Sequence, residues 1–494
     1  MSTSPFPVGI DAMAACVPEL MLPVKTLAEA RRIEYAKLSK GLGLKAMAMP
    51  DADEDAATLG ATAVQRLLEQ HGLDPRRIGR LYVGTESAFD GAKPLASYIL
   101  GMLRDHYAPM YGGDCFRHCD ATDLTFACIG AVDALQNSLD WVAGHPERQA
   151  IVVATDIARY ELGSSGEYTQ GAGAVALLVR QDPRLLAIEP HWGVATDAVY
   201  DFFKPRRRFA KSELIAQLQA VMKVNGVSPE QWLASMPEEH DFWVHPGEEV
   251  VVHRDQPVFD GPYSNACYRE RLGQALDYFR LTGSQEDLFS WDRLVFHLPY
   301  AYQARRMATS LFAEACRRSG RLAALEAAAG PMPGEEGPEW AAWLKTVSKT
   351  AMYQAFIAEK IEPGERISSR VGNGYTASIF LALLSTLEAG HTEANLFEGA
   401  RFGFLAYGSG SKAKVFSARL QPGWQKALPA DRLLDTLENR RVLDFPSYER
   451  LHQGRMKSPV EAGHGSFRLK AIERETGNRY GQRTYIWTSA PVEA

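Results

Sequence analysis

Asp123-Leu-Thr-Phe-Ala-Cys128-Ile-Gly-Ala-Val-Asp-Ala-Leu135 joins an extended, Thr- and Phe-containing approach to the first turn of a helix, with a cysteine at the junction. Beyond it Val132, Leu135, Leu139 and Val142 recur at steps of three and four, one apolar stripe of an amphipathic helix. Cys128 falls on that stripe and so faces the interior. Gly130 and Ala131 are small enough to let other backbone approach this turn. The free N–H groups and positive end of a helix favour an anion, which would lower the thiol pKa and make Cys128 a nucleophile. Taken alone, the stretch is better explained by a buried, inert cysteine, a residue type common in cores.

The segments around it set the fold class. Ile78–Glu86, Gln149–Asp156 and Gly171–Val179 are continuous apolar strands that alternate with helical stretches, the pattern of an α/β protein whose sheet is covered on both faces. A second block repeats the outline. The strand Arg293–His297, the loop Ser368–Gly374 into a helix at Tyr375–Glu388, and the strands Arg401–Gly408 and Lys414–Leu420 follow one another. Gly171-Ala-Gly173 and Gly408-Ser-Gly410 each adjoin a strand, and the Cys128 and Asn373 loops each enter a buried helix, as an internal duplication would produce. Between the blocks, Lys204–Gln256 carries Arg206-Arg-Arg208, a helix at Glu213–Val224 and the aromatic Phe242-Trp-Val-His245, and reads as an insertion or lid. The expected organisation is a first half at 1–203, the insertion at 204–256 and a second half at 257–494. Strand-like stretches from Ser466 to Trp487 are expected against the edge of the second half.

The 494 residues are 46% hydrophobic and 23% charged with a net charge of −6, a globular composition that argues against general nucleic-acid or membrane-surface binding. No apolar run reaches the length of a membrane span, and the first residues lack a basic region followed by a sustained apolar segment. Six scattered cysteines suggest reduced thiols in a cytosolic protein. Cys115, His118 and Cys119 have no second Cys/His pair at a usual spacing and read as packing or surface residues, with no metal expected.

Glu86, Cys128, His297, and Asn373 with Ser409 stand in loops or beyond strand ends, where ligands of α/β sheets bind. Each has an ordinary structural explanation, but together a thiol, a carboxyl, an imidazole and an amide suit covalent acyl chemistry. Gly84-Thr-Glu-Ser87, Ala127-Cys128, Asp156-Ile-Ala158, Gly171-Ala-Gly-Ala-Val-Ala-Leu-Leu178, Tyr200-Asp-Phe-Phe-Lys-Pro205, His297-Leu-Pro-Tyr300 and Tyr407-Gly-Ser-Gly410 stand in the order found in 3-hydroxy-3-methylglutaryl-CoA synthases, and the chain resembles that family from about Val8 to the C-terminal strands.

The resemblance implies a thiolase-like fold, two α/β halves in a five-layered αβαβα core, and a homodimer. It also implies that Cys128 attacks acetyl-CoA, that Glu86 removes a proton from the acetyl methyl, and that His297 binds the acetoacetyl-CoA carbonyl. Asn373 would hold the acceptor, and Asp156 and Asp201 would support the acetylation site. Backbone N–H groups near Cys128 and Ser409 would face the thioester oxygens. CoA thioesters are then substrates, and neither metal nor redox cofactor is required. A relative acting on carrier-protein-bound β-ketothioesters would use the same residues, and a non-catalytic scaffold is a third reading. The chain departs from the family pattern at Ile129, where a hydroxyl is usual, and at Tyr302, where a lysine is usual. Arg305 and Arg306 would replace that lysine at the CoA phosphates.

Overall fold

The computed structural model describes residues 7–223, 226–235, 249–252, 255–334, 337–461, 463–475 and 478–489, so Phe242–His245 lies outside the described residues. Five strands form the first half, β1 (Val8–Cys16), β2 (Ile78–Gly84), β3 (Asp120–Leu124), β4 (Gln149–Ala158) and β5 (Gly171–Gln181). Four form the second, β6 (Leu186–Thr196), β7 (Arg293–Phe296), β8 (Arg401–Gly408) and β9 (Lys412–Leu420). They are hydrogen-bonded in the order β7-β8-β9-β6-β1-β5-β4-β2-β3.

The duplication is visible in this order. In the first half β3, β2 and β4 are parallel, and β5 and β1 follow antiparallel. In the second, β7 and β8 are parallel, and β9 and β6 follow antiparallel. Order and sense match, except that the described residues hold no counterpart of β3. Strands of the two halves pair where Gly9 and Ile10 meet Ala187 and Leu186. The boundary expected at residue 203 is therefore displaced, because β6 pairs with β9 and opens the second half. Its polar Glu189 and His191 break the apolar run by which the other strands are read.

Strand alternation sorts the side chains into layers. Ile151 and Val153 of β4 and Ala174, Ala176 and Leu178 of β5 pack with the helices α1 (Ala56–Gln70) and α2 (Leu95–Tyr111). Their neighbours Ala150, Val152 and Ala154, and Val175, Leu177 and Val179, turn to the other face, where Val132, Leu135 and Leu139 of α3 (Gly130–Ala143) lie. The helix α4 (Gly261–Leu281) packs on β6, β8 and β9, and α5 (Ser378–Thr392) packs on β7. The layers run α1/α2, sheet, α3/α5, sheet, α4, the five-layered arrangement. Cys128 and Asn373 both precede helices of the central layer.

Three local expectations change. The helix expected from Thr26 to Lys40 is two helices, Val24–Arg31 and Tyr35–Leu42, separated at Arg32 with φ 55°. Of the insertion, the helix spans Lys211–Met222, and Arg207–Ala210 pairs with Glu249–Val252. The C-terminal strands Ser466–Ile472 and Arg483–Thr488 pair with each other and lie on the first half, not the second. Phe467 N–H donates to Thr62 at 3.0 Å, and Arg468 and Arg483 pair with Asp53 and Asp55 at 3.1 and 3.0 Å. The acidic run Asp51–Asp55, read as a helix start, thus has a second use. Asp55 also caps α1, accepting from Thr58 N–H at 2.9 Å.

The contact between β2 and α3 admits no side chain. A Cβ on Gly84 would lie 2.1 Å from Ala131 N and 2.3 Å from its Cα, both backbone atoms that cannot turn aside. Gly84→Ala is expected to lower stability by about 1–3 kcal/mol or more. A urea unfolding midpoint equal to that of the unsubstituted protein would contradict this packing.

Candidate active site

A cavity of about 430 Å³ lies at the seam between the halves, with Cys128 and Tyr160 from the first and His297, Asn373, Tyr375 and Ser409 from the second in its wall. It extends to Tyr300 and Arg306. The backbone entering each central helix is unusual. Ala127 has φ 40° and Tyr375 has φ 43°, left-handed conformations that cost a non-glycine residue about 1–3 kcal/mol. They turn Cys128 and Asn373 toward the same space.

Glu86, just past the end of β2, reaches the cavity through the sulfur, its Oε1 lying 3.1 Å from Cys128 Sγ. Lys204 Nζ lies 3.2 Å from the other oxygen, Oε2, and 4.5 Å from the centroid of the Tyr375 ring. Burial pushes the Cys128 thiol well above its usual range, and the Glu86 carboxylate pushes it the same way, while Lys204 opposes them more weakly. The helix-end expectation of a lowered thiol pKa is overturned. At rest the sulfur keeps its proton, and Glu86 Oε1 is the acceptor beside it.

Asp156 lies beneath this loop and is fully buried. Oδ1 accepts from Thr85 Oγ1, Glu86 N–H and Ser87 Oγ at 3.0, 2.8 and 2.7 Å. Oδ2 accepts from Thr376 N–H and Oγ1 at 3.0 and 2.5 Å. Burial, then the Glu86 charge, raise its pKa to about 6. Asp201 has a parallel place under the Gly408-Ser-Gly410 turn, accepting from Gly410 N–H at 2.7 Å, Tyr407 OH at 2.7 Å and Ser264 Oγ at 3.1 Å. Both aspartates therefore support the backbone that carries wall residues, and neither is itself in the wall.

His297 follows β7 and is buried, and burial lowers its pKa to about 3, so the ring is neutral. Its backbone carbonyl accepts from Tyr268 OH at 2.7 Å, while Nδ1 has no partner. Asn373 Oδ1 accepts from Tyr375 N–H at 2.8 Å, which fixes the amide plane. The two arginines separate. Arg305 is held by Glu365 at 2.5–3.1 Å and stacks on Tyr302 at 3.9 Å, so its charge is already matched outside the cavity. Arg306 stands at the cavity mouth, donating to Gly41 O at 3.3 Å. Lys204, Tyr160 and Thr376 are the site residues that sequence reading missed. Lys204 stood in the quoted Tyr200–Pro205 motif, which was the signal for it. Among the described residues, no group of three or more His, Cys, Asp or Glu side chains is placed to hold a metal ion.

Residues 4–183 match the family model for the N-terminal part of hydroxymethylglutaryl-coenzyme A synthase, and residues 233–448 match that for its C-terminal part. The chain is 34% identical over 458 residues to the hydroxymethylglutaryl-CoA synthase of Haloferax volcanii, covering 90% of this chain and 91% of that one. It is 30% identical to the enzyme of Enterococcus faecalis, covering 92% and 94%. A solved structure of MvaS in complex with 3-hydroxy-3-methylglutaryl coenzyme A superposes with a TM-score of 0.74 at 31% identity, covering 98% of this chain and all of that one.

The Asp156 carboxyl gives a pH signature. Its folded pKa of about 6 exceeds the ordinary 3.8, so folding favours its protonated form. This contribution to stability is fully present below about pH 3.8 and declines as pH rises through about 6. Comparing urea unfolding of the unsubstituted protein and Asp156→Asn across that window should show a declining component that the variant lacks. Parallel profiles would contradict the assignment.

Proposed function

Because the chain belongs to the hydroxymethylglutaryl-coenzyme A synthase family, we propose that it condenses acetyl-CoA with acetoacetyl-CoA through an acetyl group carried on Cys128. The observation that carries the mechanism is the 3.1 Å contact between Cys128 Sγ and Glu86 Oε1, a nucleophile beside its base. Sγ attacks the acetyl carbonyl as its proton passes to Glu86. The bond to the CoA sulfur breaks, and the departing thiolate takes that proton, restoring the Glu86 carboxylate. Glu86 then removes a proton from the acetyl methyl, whose acidity the thioester raises.

The resulting carbon attacks C3 of the acceptor, and the carbonyl oxygen, becoming the hydroxyl, takes up the proton that Glu86 removed. His297 acts as a neutral N–H donor to the acceptor carbonyl, in keeping with its lowered pKa. Asn373 supplies an amide on the same wall. Water then cleaves the enzyme thioester and releases 3-hydroxy-3-methylglutaryl-CoA. Backbone N–H groups beside Cys128 and Ser409 are suited to the thioester oxyanions, an effect worth about 3–4 kcal/mol per donor in well-studied cases. With Arg305 engaged by Glu365, Arg306 is the arginine suited to the CoA phosphates.

The same reading makes the product a mevalonate-pathway intermediate formed in the cytosol. A homodimer is supported by β3, which ends the sheet with partly exposed residues. No helix among the described residues is long and apolar enough to cross a membrane. The exposed Arg206 and Arg207 at the start of the insertion favour, as a second reading, an acceptor borne on an acidic carrier protein.

Incubation with acetyl-CoA should add one acetyl group, seen by intact mass, and Cys128→Ala should abolish it. Glu86→Gln should acetylate more slowly and lose condensation by about 10²–10⁴-fold. An undiminished adduct on Cys128→Ala would overturn the mechanism, and turnover only with a carrier-bound acetoacetyl group would select the second reading. His297→Ala should acetylate normally yet fail to saturate with acetoacetyl-CoA. Normal saturation would remove His297 from the acceptor site.

A further inference from the structure

We propose that Lys204 is a positioning residue that pins Oε2 of Glu86, leaving Oε1 directed at the Cys128 sulfur, so that one charged carboxylate is ready for both proton transfers. The inference rests on the reading of Glu86 as the base. Lys204 Nζ is 3.2 Å from Oε2 and also donates to the Glu86 backbone carbonyl at 3.2 Å, so it fixes the side chain and the main chain of one residue together. It is itself held above the Tyr375 ring at 4.5 Å, an aromatic face contributed by the second half. Both members of the pair are withdrawn from water, with side chains 12% and 6% exposed. Solvent screening, which makes surface pairs nearly worthless, is therefore weak here.

The charge balance gives Lys204 its task. Glu86 and Asp156 are two carboxylates in contact with one loop, and among the described residues Lys204 is the one cation paired with either. The other groups facing Glu86 are the Cys128 thiol and the phenols of Tyr160 and Tyr375, all of which burial keeps protonated. Remove Lys204, and the Glu86 carboxyl faces Asp156 with no cation beside it. A protonated Glu86 accepts nothing from Sγ or from the acetyl methyl. The ring of Tyr375 cannot replace Lys204, because it offers a cation partner and no positive charge.

The test is single-turnover acetylation from acetyl-CoA followed by quench and intact mass across pH, in the unsubstituted enzyme, Lys204→Met and Lys204→Arg. The acidic limb of the rate profile should move upward by about one pH unit or more in Lys204→Met, the size of effect expected when a close opposite charge is lost, and should return toward its original place in Lys204→Arg. An unmoved limb, or a loss by the same factor at every pH, would overturn the proposal, since a purely structural role predicts a uniform loss. Infrared difference spectra without substrate provide an independent readout. The carboxylic acid band assigned by its absence in Glu86→Gln should appear at higher pH in Lys204→Met, or in Lys204→Gln should the methionine variant fail to fold. A band that titrates unchanged would overturn it. Absence of any acetyl adduct on the unsubstituted enzyme would instead refute the acetyl-Cys128 mechanism on which the reading of Glu86 rests, and the infrared titration would still decide the Lys204–Glu86 coupling.

Discussion

One buried carboxylate ties the two halves together beneath the cavity. Asp156 accepts five hydrogen bonds, three from the loop that carries Glu86 and two from Thr376, which follows the turn of Asn373 and Tyr375. A charge removed from water is tolerated only when its lone pairs are matched, and here matching them requires both halves at once. Gly84 and Gly408 permit the same closeness on either side of Cys128. Gly84 lies against Ala131, and a Cβ on Gly408 would stand 2.7 Å from Phe126 O and 2.8 Å from Ile129. Ile129 is thus packing material for the seam.

The same enclosure acts on the Cys128 thiol. A helix N-terminus is worth about 0.3–1 kcal/mol to an anion, up to about 2 in favourable settings, and its influence fades within a turn. Cys128 stands one residue before the N-cap Ile129, buried and 3.1 Å from a carboxylate. Desolvation and like charge oppose the thiolate there, and they win. In the proposed mechanism the sulfur therefore ionises as it reacts, with a carboxylate oxygen already in contact. Such an arrangement suits a site whose next step needs that same acceptor for a carbon acid.

Local pattern carried much of the fold and the centre of the site. The strands were legible because burial on both faces leaves uninterrupted apolar runs. The polar residues Glu86, His297 and Ser409 were legible because they follow such runs directly, and Cys128 because it precedes an apolar stripe. What pattern missed depends on partners distant in sequence. Lys204 meets Glu86 across 118 positions, and the place of Asp156 is set by Thr376 220 positions away. Arg305 looked like a free basic group, yet Glu365, 60 residues on, has taken its charge. The C-terminal hairpin was assigned to the nearer half in sequence, although its Arg468 and Arg483 are matched by the acidic run before α1. Strand β6 was passed over because Glu189, Pro190 and His191 interrupt its apolar run.

The unequal ends of the nine-stranded sheet bear on how copies of this chain can associate. At one end, β7 is buried at every position. At the other, β3 pairs only with β2 and leaves Asp120 exposed and its other residues partly so. Unpaired strand edges invite addition of another strand, and a molecule with two of them can polymerise without limit. With one, pairing to a like copy consumes the edge on both partners and leaves none to continue. Among the described residues the second half has no counterpart of β3, so edge-to-edge pairing of like copies through β3 would end at two.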